Sequence, residues 1–322
     1  MLKRKPRPNA TEARHRRASG LDQMSTSQIL SLINTEDANV APAVRRELRK
    51  ISRVVDELIV PAIRSGGRLF YAGAGTSGRL AALDAAELPP TFGVPRSVVQ
   101  ALIAGGTPTL TRAVEGAEDS LTNAPRYLQY ARVGRGDVVG GITASGSTPY
   151  VLSALRAAKA RGARTFAITA NPDSPIARLA EITIAPRTGA EVLSGSTRLK
   201  AGTAQKLVLN LLSTSSMIRL GHVYDNWMID VAQTNSKLRQ RAVRILAEAA
   251  DLEPSVAKNT LRLAGRNLRV ALVMQKAGIG ANEARRALAN AGGDIRIALQ
   301  EFRPTHSGKP TRTRARKAHV HG

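Results

Sequence analysis

The sequence predicts an α/β protein whose core is a parallel sheet flanked by helices. Short apolar runs alternate with helical patterns between residues 66 and 235, which is typical of a parallel sheet covered on both faces. Two of these runs end in loops rich in glycine and hydroxyl side chains, and each loop opens a helix. After residue 235 the pattern is wholly helical, which predicts a small helical domain.

Helices are also predicted ahead of the sheet, in residues 25–65. Helical periodicity covers two stretches there, and Ser25 or Thr26 can cap the first of them. Two glycines after residue 65 are expected to end the second stretch. The two stretches are residues 26–34 and 41–64.

The sheet domain is expected to span residues 66–235. A helix is predicted from residue 79 to Glu87 and is expected to end at the two prolines that follow it. A long helix with small and hydroxyl side chains on one side is predicted over residues 197–221. The predicted strands are apolar runs at residues 68–72, 98–104, 137–143, 164–169 and 181–185.

Residues 236–302 are expected to form the small carboxyl-terminal helical domain. Glycines separate its helical stretches. Basic segments, residues 1–24 and 303–322, stand on either side of the predicted domains. The helices of this domain are predicted at residues 236–250, 254–264, 267–277, 281–290 and 294–302.

The two ends carry a large share of the charge. The formal net charge is +24, and about half of it lies in residues 1–17 and 303–317. Both ends are rich in proline or small polar residues, so they are expected to be disordered. They allow non-specific contact with nucleic acid through phosphates but contain no aromatic side chain for stacking. The sequence therefore predicts no specific nucleic-acid partner.

Length and composition agree with an enzyme that works in the cytoplasm. A chain of 322 residues can bury a sizeable core. The absence of cysteine excludes disulfides and thiolate chemistry, which is typical of a reducing compartment. No apolar stretch approaches the length that spans a bilayer, so no membrane partner is expected.

A loop of glycine and hydroxyl residues, residues 73–79, joins the first predicted strand to a helix. The first turn of a helix leaves backbone N–H groups unpaired, and the positive end of the helix dipole adds to their attraction for an anion. Thr76 and Ser77 can add hydroxyl donors, and the glycines allow the backbone to approach a ligand closely. The loop therefore predicts a phosphate site.

Two other interpretations of this loop stay open. Its glycines fit the G-x-G-x-x-G spacing of a dinucleotide site, but the next strand, residues 98–104, does not end in the acidic residue that such a site needs. Serine and threonine can also serve here only as helix caps. A second loop, residues 143–148, likewise leads from a strand into a helix. Two such loops in one sheet favour a shared phosphate pocket.

Longer blocks of the sequence resemble the N-acetylmuramic acid 6-phosphate etherase family, from about residue 11 to 301. The glycine loop alone is typical of sugar isomerase (SIS) domains in general, whereas the block at residues 194–206 and the blocks around Glu87 and Glu118 are more specific. The blocks that carry the resemblance are residues 73–79, 83–93, 113–120, 171–175 and 194–206.

The resemblance implies a flavodoxin-like SIS sandwich, a homodimer, and no cofactor or metal. It also implies cleavage of the D-lactyl ether of N-acetylmuramic acid 6-phosphate with water, to N-acetylglucosamine 6-phosphate and D-lactate, in cell-wall sugar recycling. Elimination makes this possible because the aldehyde of the open-chain sugar acidifies the proton on C2, after which water adds to the double bond. General acid and base groups suffice for these proton transfers.

Matching the blocks also assigns roles to individual residues. The catalytic pair falls on Glu87 and Glu118, with Glu115 as the competitor for the second position. The hydroxyls that bind the phosphate of the sugar substrate fall on Ser77, Thr143, Ser145 and Thr148. Further candidate substrate contacts are Thr76, Ser147, Glu191, Arg198 and Lys200.

Two positions depart from the family pattern. Ser147 stands where arginine is commonest, and Leu88 stands where cysteine is frequent. The missing arginine puts substrate affinity and substrate choice in doubt, but both catalytic candidates are kept.

Two other functions remain as alternatives. A non-catalytic sugar-phosphate sensor of the glucokinase regulatory protein type would keep the hydroxyl loops but need not keep both glutamates. An aldose–ketose isomerase would use a similar proton abstraction from C2 but has no need for the block at residues 194–206.

Overall fold

The computed structural model describes residues 10–231, 233 and 235–302. The chain forms two compact units, with the division after Arg239. The first unit contains the sheet and the second is helical. Residues 1–9 and 303–322 lie outside the described residues, and with them most of the basic ends for which disorder and nucleic-acid contact are expected.

A five-stranded parallel sheet forms the centre of the first unit, as the sequence predicts. The strands lie in the flavodoxin-like order β2-β1-β3-β4-β5, so the first and third strands are neighbours. Leu69 of the first strand pairs with Val99 on one side and with Val138 on the other. The strands are β1 (Leu69–Gly73), β2 (Val99–Ile103), β3 (Val138–Ile142), β4 (Arg164–Ile168) and β5 (Ile182–Ile184).

Helices precede the sheet, and the predicted cap at Ser25 is confirmed. The Ser25 hydroxyl accepts a hydrogen bond from the backbone N–H of Gln28, whose side chain accepts one from the N–H of Ser25. A π-helical stretch, Val54–Ile59, leads into the last of these helices and buries Leu58. The α-helices are α1 (Thr26–Asp37), α2 (Val40–Arg45), α3 (Leu48–Arg53) and α4 (Val60–Arg64).

The helices that follow are α5 (Gly75–Phe92), α6 (Asn123–Tyr130), α7 (Pro149–Ala160), α8 (Pro175–Leu179) and α9 (Lys200–Arg219). They cover both faces of the sheet because its central strands are apolar on both sides. Tyr71 of β1 is buried in a cluster with residues of α5 and α9. Its neighbour Phe70 is buried on the opposite face, with residues of α6 and α7. The helices α5 and α7 therefore lie on opposite faces.

The prediction that α5 ends before its two prolines is wrong. Pro89 and Pro90 lie inside the helix, which continues to Phe92. Each proline removes a backbone hydrogen bond, but the same two turns bury Leu88 and Phe92 in the core beneath the sheet. The helix ends at Gly93, whose left-handed backbone allows its N–H to bond to the carbonyl of Pro89. The burial of these two side chains thus outweighs the helix-breaking tendency of the prolines.

A short antiparallel hairpin, β6 (Val223–Tyr224) and β7 (Trp227–Met228), follows α9. The predicted carboxyl-terminal helices are confirmed, with side-chain caps from Asn267 and Asp294 at two of them. They are α10 (Ser236–Ala250), α11 (Pro254–Leu263), α12 (Leu268–Ala277), α13 (Ala281–Asn290) and α14 (Ile295–Gln300). None of the helices in the described part of the chain is both long enough and apolar enough to cross a membrane.

A buried carboxyl group joins α5 to α9. Asp84 is only 5% exposed, and its Oδ1 accepts a hydrogen bond of 2.9 Å from the hydroxyl of Ser213. Burial raises the pKa of Asp84 to about 6, against the lowering effects of the Ser213 hydroxyl and the charge of Lys206. Ionisation of Asp84 is therefore less favourable in the folded protein than in the unfolded chain.

We expect this group to make stability depend on pH. Because the folded-state pKa lies above the ordinary value of 3.8, Asp84 lowers the free energy of unfolding as the pH rises from about 4 to about 6, by up to about 3 kcal/mol. Asp84→Asn should lack this decline, so its stability relative to wild type should improve with pH in that window. Urea unfolding at each pH measures the difference, with Asp22→Asn, the same change at an exposed side chain, as the control. Parallel curves for wild type and Asp84→Asn would contradict the expectation.

Candidate active site

A cavity of about 370 Å³ lies at the carboxyl ends of β1 and β3. The chain leaves these neighbouring strands towards opposite faces of the sheet, through α5 and α7. In open parallel sheets, ligands bind at such a switch point. The residues that line the cavity are Glu12, Ala74, Gly75, Thr76, Ser77, Glu118, Thr143, Ala144, Ser145, Ser147, Thr148, Pro149 and Thr197.

The loop after β1 turns directly into α5, which begins at Gly75 rather than at residue 79. Two glycines make this possible. A Cβ on Gly73 would lie 2.7 Å from the backbone nitrogen of Gly78, and a Cβ on Gly78 would lie 2.8 Å from the carbonyl oxygen of Gly73. The strand end and the helix start can therefore pack together only without side chains at these positions. The tight turn places Thr76 and Ser77 in the first turn of α5, where both line the cavity.

The loop after β3 holds its hydroxyl groups in a connected network. Thr143 Oγ1 lies 2.8 Å from Thr148 Oγ1 and 3.3 Å from Ser145 Oγ. Ser145 Oγ accepts hydrogen bonds from the backbone N–H of Ser147 at 3.2 Å and from its hydroxyl at 3.1 Å. The N–H of Gly146 donates to Thr143 Oγ1. The hydroxyl groups of this loop and two of its backbone N–H groups therefore lie close together.

One glycine is needed to shape this loop. Gly146 has a φ of +75°, in the left-handed region, and a Cβ there would lie 2.1 Å from Ser174 Oγ. Ser174 is itself held by a hydrogen bond from its hydroxyl to the carbonyl of Asn171. A side chain at position 146 is therefore excluded both by its backbone angle and by its neighbour.

The cavity is lined by hydroxyl groups and by the positive ends of helix dipoles, which favour an anion. The amino termini of α5 and α7 both lie at it, since Gly75 and Pro149 line it. Among the described residues that line the cavity there is no lysine or arginine. Ser147, where the family pattern has arginine, is one of the hydroxyl residues instead. An anion bound here would be held mainly by N–H and O–H donors.

The two predicted catalytic glutamates lie apart in a single chain. Glu118 lies in a 3₁₀ turn, Ala117–Asp119, and lines the cavity. Glu87 is exposed on α5 and lies about 15 Å further along the helix axis than Ser77. Neither Glu87 nor the exposed Glu115 lines the cavity. One chain therefore supplies Glu118 to the cavity without Glu87.

Three other candidate contacts lie outside the cavity lining. Glu191 is fully buried, and its carboxylate accepts hydrogen bonds from the backbone N–H groups of Lys200 and Ala201, at 3.1 and 2.9 Å. It thereby caps α9, and burial raises its pKa although these N–H groups oppose the shift. The Lys200 ammonium is buried and lies 2.8 Å from Glu36. Arg198 is exposed. Glu191 and Lys200 thus stabilise the start of α9.

The amino-terminal segment, residues 10–23, contributes a cavity residue that the sequence analysis missed. Part of this segment is expected to be disordered, but it forms three 3₁₀ turns and buries Thr11. Glu12 lines the cavity, and its Oε2 would lie 3.3 Å from a Cβ on Gly195. Thr197, which the sequence also did not indicate, lies in the block at residues 194–206 and lines the same cavity.

An ion-pair cluster anchors this segment to the rest of the unit. His15 Nε2 lies 3.2 Å from Glu36 Oε2, and the guanidinium of Arg17 lies 3.6 Å from Glu36 Oε1. The hydrogen bond from Lys200 is the main cause that lowers the pKa of Glu36. The segment that carries Glu12 is therefore tied through α1 to the start of α9.

Comparisons with protein families first define the class. Residues 50–159 match the family model of the glucokinase regulatory protein N-terminal SIS domain, and residues 120–215 match the model of the SIS domain. The fold is thus that of an SIS-domain protein. A solved phosphoheptose isomerase from Francisella tularensis aligns with a TM-score of 0.45 and 16% identity, covering 59% of this chain and all of that chain.

Curated relatives define the family more closely. N-acetylmuramic acid 6-phosphate etherase from Edwardsiella ictaluri is 50% identical over 291 residues, covering 90% of this chain and 97% of that protein. The protein of the same name from Geobacillus sp. is 49% identical over 290 residues, covering 90% of this chain and 98% of its own length. The chain belongs to the N-acetylmuramic acid 6-phosphate etherase family.

The packing around Gly146 predicts a specific cost for a side chain there. Gly146→Ala should lower the free energy of unfolding by about 2–4 kcal/mol, since the backbone strain is joined by overpacking against Ser174. Gly162→Ala is the matched control, because Gly162 also has a positive φ, +80°, but its nearest contact to a Cβ would be 3.9 Å. It should cost about 1 kcal/mol. Urea unfolding measures both, and equal losses would contradict the packing of the loop.

Proposed function

We propose that this protein cleaves the D-lactyl ether of N-acetylmuramic acid 6-phosphate, giving N-acetylglucosamine 6-phosphate and D-lactate, as a carbon–oxygen lyase of cell-wall sugar recycling. One observation carries the proposal: a single cavity combines two hydroxyl loops, two helix amino termini and the carboxylate of Glu118. The proposal is supported by the 50% identity to a curated etherase along 97% of that protein's length.

The phosphate of the substrate is assigned to the two hydroxyl loops. Phosphate oxygens accept hydrogen bonds, and the loops offer hydroxyls and backbone N–H groups at the positive ends of α5 and α7. Thr76 and Ser147 adjoin the assigned donors and supply further hydroxyls. The assigned donors are the hydroxyls of Ser77, Thr143, Ser145 and Thr148.

The proposed chemistry is elimination followed by hydration. In the open-chain sugar, a carboxylate removes the proton on C2, the C3–O bond to lactate breaks, and the departing oxygen is protonated. Water then adds at C3 while C2 is reprotonated, so the net reaction consumes one water. These steps need a general base and a general acid but no redox change, so we propose that they proceed without a cofactor or a metal.

We propose that the second glutamate, Glu87, reaches the cavity from a second copy of the chain. Within one chain its position about 15 Å along α5 from Ser77 is too far for a group that must act near the phosphate, because C2 and C3 of a hexose 6-phosphate are only a few bonds from phosphorus. Glu87 is exposed on the surface of α5 and so is open to a partner. The protein would then be a homodimer with shared active sites.

We place the reaction in the cytoplasm. The chain contains no cysteine, which is typical of proteins from a reducing compartment. A phosphorylated sugar is also retained inside a cell by its charge, so enzyme and substrate would share the compartment.

A second candidate function is a sugar-phosphate sensor. It is favoured by the match of residues 50–159 to the N-terminal SIS domain of the glucokinase regulatory protein. That match covers one domain, whereas the similarity to the curated etherases extends over 90% of this chain and includes both glutamate blocks. The etherase is therefore the better supported of the two.

Lactate release tests the reaction and the role of Glu118 together. The purified protein should release D-lactate from N-acetylmuramic acid 6-phosphate and, in H₂¹⁸O, introduce the label at C3. Glu118→Gln should lower kcat by about 10²- to 10⁴-fold with a smaller change in KM, because an amide cannot exchange a proton with the substrate. Glu12→Gln, the same change at the other carboxylate of the cavity, is the matched comparison and should cost less. Near-normal kcat in Glu118→Gln would remove that residue from the mechanism, and tight binding without lactate would favour the sensor.

Complementation tests whether the site is shared. Glu87→Gln and Glu118→Gln proteins should each be inactive, but co-expression should restore about a quarter of wild-type activity, because half of the dimers are mixed and each mixed dimer has one intact site. Co-expression of two differently tagged Glu118→Gln chains is the control and should restore nothing. If the mixed dimers are isolated and remain inactive, both glutamates act from the same chain; if Glu87→Gln alone keeps near-normal activity, Glu87 does not act.

A further inference from the structure

We propose that Gln205 is a positioning residue that turns the hydroxyl hydrogen of Ser77 towards the bound phosphate. This inference rests on the proposed function, since it assumes that Ser77 is one of the phosphate ligands. It assigns a role to a residue of α9 that does not itself line the cavity.

The two side chains meet where α5 packs on α9. Ser77 Oγ lies 2.9 Å from Gln205 Oε1, and the two residues are only 8% and 3% exposed. Ser77 reaches the cavity from the first turn of α5, whereas Gln205 lies behind it. The contact therefore links a cavity hydroxyl to a buried amide.

The direction of this hydrogen bond matters for an anion. A serine hydroxyl has one hydrogen, and the oxygens of a phosphate accept hydrogen bonds. If Ser77 donates its hydrogen to Gln205 Oε1, it has none left for the phosphate, and an unshielded oxygen then faces a negative ligand. Ser77 would in that case weaken the site that it lines.

The unpartnered nitrogen of the buried Gln205 amide favours a rotation of that amide. Gln205 Nε2 is buried and has no hydrogen-bond partner, and a buried donor without an acceptor is costly. The oxygen and nitrogen of a glutamine amide occupy nearly the same space, so a half-turn of the amide exchanges them. Nε2 would then donate to Ser77 Oγ, and the hydrogen of Ser77 would be released for the phosphate. One rotation gives the amide nitrogen an acceptor and orients the serine; the amide oxygen then takes the unpartnered position, where an unpaired C=O is tolerated better than an unpaired N–H.

Gln205→Met distinguishes the two directions of the hydrogen bond, since methionine fills similar space with no N–H donor and only a weakly accepting sulfur. We expect inhibition by inorganic phosphate to weaken about three- to tenfold, with KM raised and kcat changed less. In a Ser77→Ala background, Gln205→Met should have no further effect on phosphate inhibition. Asn210→Met, which removes an exposed amide from the same helix, is the matched control and should leave phosphate inhibition unchanged.

Gln205→Glu provides a second variant of the same shape in case the methionine protein does not fold. An ionised carboxylate can only accept the Ser77 hydrogen, and its charge also repels phosphate whether or not Ser77 is present. The part of the loss of phosphate inhibition that disappears in a Ser77→Ala background therefore reports on the Ser77 hydrogen. Unchanged or stronger phosphate inhibition in Gln205→Met would overturn the inference, because Gln205 would then compete with phosphate for the hydrogen. Equal losses with and without Ser77 would overturn it as well.

If Ser77→Ala alone leaves phosphate inhibition unchanged while Ser145→Ala weakens it, this inference fails but the phosphate pocket stands; if neither variant changes it, the pocket assignment fails too.

Discussion

The pairing of β1 with β3 is the constraint on which the rest of the site depends. These parallel strands are neighbours, but their helices α5 and α7 leave towards opposite faces of the sheet. Both helices therefore begin at the same edge, and the gap between them is the cavity. The close approach of Gly73 to Gly78 lets α5 start immediately at the strand end. Backbone topology thus creates the cavity and brings two helix amino termini to it.

The described cavity lining combines neutral hydrogen-bond donors with acidic side chains. Hydroxyls, backbone N–H groups and helix dipoles attract a phosphate, while the charged side chains in the lining, Glu12 and Glu118, are acidic. Position 147, where the resemblance described above implies an arginine, is serine in this chain. The ammonium of the basic residue Lys200 forms a salt bridge with Glu36. Phosphate recognition in this protein is therefore expected to depend on the orientation of neutral donors, which makes their hydrogen-bond directions important.

The sequence predicts the fold well because burial leaves a strong local signal. The central strands β1 and β3 are apolar runs that the structure buries on both faces, and Ser25 caps its helix through contacts only three residues away. Pro89 and Pro90 mislead because their local cost is outweighed by the burial of Leu88 and Phe92, which only the tertiary structure shows.

The site is less predictable, since its residues come from distant parts of the chain. The hydroxyl loops carry their own signal, but Glu12 lies in a segment whose composition is typical of a charged tail. Glu36, the partner of Lys200, is 164 residues away in sequence. No local pattern therefore indicates that the ammonium of Lys200 is paired with a carboxylate. Likewise, the spacing of Glu87 and Glu118 gives no distance in space.

A crystal structure with N-acetylglucosamine 6-phosphate tests the central claim most directly. We expect the phosphate between residues 74–77 and 143–148, at the amino termini of α5 and α7, with the sugar carbons extending towards Glu118. A second copy of the chain should bring Glu87 to the same sugar. A phosphate bound elsewhere, with this cavity filled only by water, would contradict the account.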